Sequence, residues 1–205
     1  MVIGLFIITA IPTVTGVGQA YSAQKTAEER EKDKKRMAKF HIDLVCDADK
    51  PRFGELNGRR VVLKDDLVWV GAAEALNPSP EGYVAEAFYI EYPDKERDPV
   101  PLGLVSQTRA DPPLLNWIYL DKNTLELKYG NKTASIEHLV GPWDWTKDEQ
   151  KVTFDEVDEF TAVQEPKTRR WRLYYDMNDD GLVGYVPKSW PKVEVKLERI
   201  LIPGA

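Results

Sequence analysis

The chain has 205 residues, 42% of them hydrophobic and 30% charged, with six Trp, nine Tyr and six Phe to fill a core; this is the composition of one globular domain with an appendage, not of a disordered chain. The balance of 28 Lys+Arg against 34 Asp+Glu gives a net charge of -6, which argues against nucleic acid as a partner because phosphate binding is driven by basic residues. One cysteine, Cys46, excludes an intrachain disulfide, and with only two histidines, His41 and His138, a four-ligand Cys/His zinc site is ruled out.

In chain order, residues 2–20 (VIGLFIITAIPTVTGVGQA) carry no charge. The segment resembles a secretory h-region but lacks a basic n-region, and Pro12, Gly16 and Gly18 break it as a membrane helix. A third reading is a mature segment that packs against the body, a partner or another copy of the chain, through Leu5, Phe6, Ile7, Ile8, Ile11 and Val14. From Ala20 to Phe40 there is no Gly or Pro, and Ala, Glu, Lys and Arg dominate; Glu28 with Lys32 and Glu31 with Lys35 stand four apart with the acid first. That predicts a solvated, charged helix. Residues 1–40 therefore read as an apolar segment plus helix, and 41–205 as a separate β-rich domain.

Beyond Phe40 the pattern alternates. Strands are expected at 61–63, 67–70 and 83–92, followed by a loop containing Pro93, Pro99, Pro101, Pro112 and Pro113 that is a poor place for a central strand. Trp117–Leu120 and Leu125–Tyr129 flank the turn-forming Asp121-Lys122-Asn123-Thr124 as a hairpin. Further strands are expected at 151–154, 160–165, 171–175, 182–186 and 193–201. This is a mostly β domain, an antiparallel sandwich or partly closed barrel. The segments WIYLDKNTLEL and WRLYYDMNDDGLV look alike, but two copies do not make a repeat architecture.

Two places carry candidate chemistry. Asp176, Asn178 and Asp180, followed by Gly181, match the first half of a calcium loop, but position 12 is Pro187 where a bidentate Glu is needed. Calcium is thus the one cofactor to consider, against a plain turn. The second place gathers Glu137, His138, Trp143, Asp144 and Trp145 around a Gly-Pro turn; tryptophan faces beside carboxylates suit a carbohydrate-binding or hydrolytic cleft, although tryptophans also fill β cores. Asn131-Lys132-Thr133 is a glycosylation sequon, relevant only on a secretory route. Phosphate-loop, G-x-S-x-G and HExxH motifs are absent from the sequence.

The stretches GLFIITAIPTVTGVGQAYSAQK, YGNKTASIEHLVGPWDW and YYDMNDDGL resemble an uncharacterised family of small proteins from filamentous fungi, with similarity over about half the chain. The resemblance carries no activity. It implies a eukaryotic, intracellular setting and an N-terminal segment that belongs to the mature protein. The sequence reading is a cytoplasmic, non-enzymatic binding or assembly module whose N-terminal segment contacts a membrane, a protein partner or its own copies as a homo-oligomer. The alternatives are a carbohydrate-binding or carbohydrate-active domain, a calcium-dependent binder, and a secreted location.

Overall fold

The alternation that starts at Phe40 is a strand: Phe40, Ile42 and Leu44 point inward while His41, Asp43 and Val45 are half-buried. The computed structural model describes residues 29–94, 96–109 and 112–203, and the chain divides into two compact units at Arg36/Met37. The apolar residues Leu5, Phe6, Ile7, Ile8, Ile11 and Val14 lie outside the described residues. Residues 29–37 are helical (α1), with Lys34 bonded to Glu31 at 2.8 Å and Arg36 paired with Asp33 at 3.8 Å. Among the described residues no helix is long and apolar enough to cross a membrane. The helix stops short of Phe40, because the side chain of that residue is fully buried as the first inward position of a strand.

The second unit runs β1 (Phe40–Val45), α2 (Phe53–Leu56), β2 (Arg59–Lys64), β3 (Leu67–Ala73), β4 (Tyr83–Val84), β5 (Glu86–Glu91), β6 (Leu102–Arg109), β7 (Leu114–Leu120) and β8 (Leu127–Gly130). It continues with α3 (Lys132–Ser135), β9 (Trp143–Trp145), β10 (Val152–Phe154), β11 (Glu159–Gln164), β12 (Trp171–Tyr174) and β13 (Lys192–Leu201). Every strand pairing is antiparallel, and an eleven-stranded sheet ordered β12-β11-β13-β1-β5-β6-β7-β8-β3-β2-β4 closes on itself through β12–β3.

The pairings resolve into two layers. β13–β1, β1–β5, β5–β6 and β9–β10 are hydrogen-bonded, β9 lies against β6, and β10 meets β13 at Lys151↔Glu198; these six strands form a barrel. The hairpins β2–β3, β7–β8 and β11–β12 cap one end, each touching the other two through Leu67↔Lys128, Trp69↔Arg172 and Glu126↔Tyr174. A barrel has no free edge. The sandwich alternative is thereby replaced by a closed barrel.

The core fills the barrel and the underside of the cap. Trp143 is fully buried, stacked on Phe160 at 6.1 Å and edge-on to Phe154 at 4.9 Å, and Tyr175 completes the cluster. A bidentate pair from Arg60 Nε and Nη2 to the Asp43 carboxylate (2.6 and 2.9 Å) ties β2 to β1.

Three expectations need correction. The proline-rich stretch holds β6, a central barrel strand, because its prolines flank 102–109 without entering it. Residues 182–186 form turns, not a strand: Leu182 and Gly184 both have positive φ (59° and 86°), and the Leu182 N–H is given to Asp176. The two Trp-led segments are not equivalent, since Trp117 is in the first strand of its hairpin and Trp171 in the second strand of another.

Candidate functional site

The residues singled out around the Gly-Pro turn separate in the fold. Trp143 is fully buried in the barrel core, so its faces are packed on protein and not offered to solvent. Trp145, two positions on, is half-buried, with one contact to Tyr89 (5.5 Å, edge-on) and the Arg199 guanidinium 4.6 Å from its ring. That guanidinium also sits 4.6 Å from Phe40 and 5.5 Å from Tyr89, and its Nη1 donates to the Glu149 carbonyl. Burial pushes the Arg199 pKa down, against the pull of Tyr89, Glu149 and Asp144. Asp144 thus belongs to the Arg199 surroundings, while the exposed Glu137 pairs with Lys122 at 3.8 Å.

His138 has a different role. Its ring stacks on Tyr119 (5.1 Å between centroids, 19° between planes), and its Nδ1 accepts the Lys122 N–H at 3.3 Å beside Asp121 at 3.8 Å.

The Asp176 loop is closed by its own backbone. The Asp180 N–H reaches Asp176 Oδ1 at 3.3 Å, and the Gly181 and Leu182 N–H groups reach Oδ2 at 2.7 and 3.3 Å. Lys192 Nζ donates to the Gly181 carbonyl at 2.8 Å, which places a cation beside the loop already. Asn178 and Asp180 are exposed, and Asp180 Oδ1 accepts the Val183 N–H. Among the described residues no group of three or more His, Cys, Asp or Glu side chains is arranged to hold a metal ion.

A different cleft sets two carboxylates beside two tyrosines. It lies between the tip of the β2–β3 hairpin and the β7–β8 hairpin, encloses about 600 Å³, and is lined by Asp65, Asp66, Asn116, Tyr119, Tyr129 and Asn131 among others. The local sequence explains each wall. Lys64-Asp65-Asp66-Leu67 is a two-residue hairpin whose central residues both have positive φ (53° and 60°), as the turn that fits strand twist demands. Asn-Gly fills such turns with less strain; here the rim carries two carboxylates. Tyr119 and Tyr129 come from paired strands, the Tyr129 N–H bonding the Asp66 carbonyl at 3.1 Å. Asn131 caps α3 by accepting the Ala134 N–H at 3.0 Å. Gly130 keeps the floor open: a Cβ there would stand 2.9 Å from Ala134 Cβ and 3.7 Å from Tyr119 Cε1.

The cleft is electronegative. Burial raises the pKa of Tyr119, with Asp121 and Asp66 adding to it; burial likewise raises Tyr129, opposed by a hydrogen bond with the Asp66 backbone and helped by the Asp66 and Asp65 charges. Among the described residues neither Asp65 nor Asp66 has a cationic partner; the Tyr129 hydroxyl is hydrogen-bonded to the Asp66 backbone, while the Tyr119 hydroxyl has no hydrogen-bond partner there. Lys128 also lines the cleft, but its Nζ lies 2.7 Å from Asp121 Oδ2. Asp121 feels an upward push from burial that is outweighed by Lys128, the Asn123 N–H and His138, so its carboxyl sits below the ordinary aspartate range. Sequence reasoning passed over this site because Tyr119 and Tyr129 read as strand residues. The legible signal was the pair of aspartates where a hairpin turn favours Asn-Gly.

A six-stranded barrel closed at one end by three mutually paired hairpins is a β-trefoil. The chain belongs to the fungal beta-trefoil domain family, which it matches over residues 16–203. No curated protein and no solved structure matches the chain.

Proposed function

We propose that this β-trefoil is a non-enzymatic binding domain that takes a carbohydrate in the cleft between the β2–β3 and β7–β8 hairpins. The fold is one often used for carbohydrate or protein binding. The observation that carries the reading is the juxtaposition, in one open cleft of about 600 Å³, of the unused Tyr119 hydroxyl, the Tyr129 ring and two carboxylates without cationic partners among the described residues. That volume lies within the range of roughly 300–1,000 Å³ common to small-ligand sites. A half-buried ring such as that of Tyr129 favours the apolar face of a pyranose, while carboxylate and amide groups accept its hydroxyl protons.

The site differs from the one the tryptophans suggested; His138 takes part at one remove, by stacking on Tyr119. Titration calorimetry of the chain against a panel of oligosaccharides tests the reading. A panel member should bind the wild type at millimolar affinity or better, and Tyr129→Ala should weaken that binding about tenfold, equivalent to about 1.4 kcal/mol. Binding by no oligosaccharide, or equal binding by Tyr129→Ala, refutes it.

A further inference from the structure

We propose that the sugar recognised in this cleft is an amino sugar, bound as its ammonium form; the inference rests on the carbohydrate reading above. The argument begins with charge. Asp65 and Asp66 are both exposed on the rim, and neither has a cationic partner among the described residues. The one lysine lining the cleft is held by Asp121 at 2.7 Å, so that pair adds no net charge. The cleft therefore presents two uncompensated negative charges. A uronic or phosphorylated sugar meets repulsion there. A neutral sugar must displace water from two carboxylates with hydroxyl hydrogen bonds alone, whereas an ammonium returns charge-assisted bonds for that lost hydration.

Asp65 and Asp66 both occupy the left-handed region, at φ 53° and 60°, where Asn and Gly cost less than a charged pair of neighbours. Two adjacent like charges also repel. A cation seated between the two carboxylates offsets that repulsion.

The rest of the cleft asks for more than a bare amine. Asn116 is nearly buried and gives Nδ2 to Thr108 Oγ1 at 2.8 Å, which leaves its amide oxygen unused among the described residues. With the Tyr119 hydroxyl and the Tyr129 ring, that makes a set of groups spread across a space far wider than an alkyl-ammonium chain. A hexosamine ring supplies an ammonium, several hydroxyls and an apolar face at once, and a cation close to a tyrosine face gains further attraction.

The test is calorimetric titration of the full chain, at a pH where the amine is protonated, with a glucosamine trimer, its fully N-acetylated counterpart, a glucose trimer and an oligolysine. The Asp65→Asn/Asp66→Asn double variant is titrated alongside. Asn tolerates the left-handed region better than Asp, so the variant should melt no lower than the wild type and any lost binding is not a folding defect. The glucosamine trimer should bind at least about tenfold more tightly than the acetylated or glucose trimers. The double variant should lose most of that preference, and added salt should erode it.

Equal binding of the neutral trimers, unchanged in the double variant, overturns the amino-sugar inference while the carbohydrate reading stands. Binding of oligolysine as tight as that of the glucosamine trimer also overturns it, since charge alone then suffices. If no sugar binds, both fall.

Discussion

Where the three capping hairpins meet, Arg172 of β12 donates to Glu126 at 2.8 Å and approaches Glu165 at 3.7 Å, and its guanidinium lies 5.5 Å from the Trp69 ring. The side chains of Arg172 and Glu126 are only 14% and 7% exposed, so the pair is shielded from solvent screening. Burial pushes the Glu126 carboxyl up, and the Coulombic pull of Arg172 is the leading opposing influence. Replacing Arg172 with Met keeps most of the aliphatic volume but strands that carboxylate.

Removing one partner of a buried pair costs about 3–5 kcal/mol. Because Lys128 and a hydrogen bond from Tyr174 still support Glu126, the lower end applies: about 3 kcal/mol at pH 7. For a chain of this size that is a fall of roughly 6–12 °C in Tm. The double variant Glu126→Gln/Arg172→Met, with no buried charge left unpaired, should recover most of the loss. The pH dependence has a definite sign. Without Arg172 the folded-state pKa of Glu126 rises further above its unfolded value, so the folded variant takes up a proton more readily than the unfolded chain. The penalty is therefore largest at pH 7 and shrinks as pH falls towards the unfolded value of about 4.3. Urea unfolding at pH 7 and pH 5 measures it. A penalty below about 1 kcal/mol, or one equal at both pH values, would refute the reasoning.

Four other outcomes follow from three sites. Asp121 has a lowered pKa that rests in part on Lys128, so its stabilisation is present above the ordinary aspartate range and fades as pH falls through the lowered value. Lys128→Met should reduce stability at pH 7 and flatten the acid limb of a Tm-against-pH profile. Gly103→Ala places a Cβ 2.6 Å from Trp117 Cζ3 and 3.3 Å from the Ile90 carbonyl, an overpacking that should cost about 1–3 kcal/mol in denaturant unfolding. Asp176→Ala removes the acceptor for three backbone N–H groups, and limited proteolysis should then cut at 177–185 faster than in the wild type. Millimolar calcium should leave the wild-type Tm unchanged, because a cation must displace those same donors.

The alternation of Val193, Val195 and Leu197, or the turn residues after Leu120, decided strands and hairpins locally, since a two-residue period and a turn tetrad are properties of neighbouring residues. The mostly β class was therefore readable from the chain alone. The strands on either side of Lys64–Leu67 were expected too, but the turn and its two aspartates gained meaning only beside Tyr119 and Tyr129, which arrive from a distant hairpin. The chain could not reveal that Trp143 is core while Trp145 meets Arg199, because the two share one face of a three-residue strand and only their surroundings in the assembled barrel separate them. Nor could it reveal the threefold arrangement. The hairpins are alike in pairing but not in sequence, and Leu67↔Lys128, Trp69↔Arg172 and Glu126↔Tyr174 are contacts between distant segments. Local preference selects strands and turns; closure of the barrel and meeting of the caps depend on burying one shared core, which only the assembled chain can do.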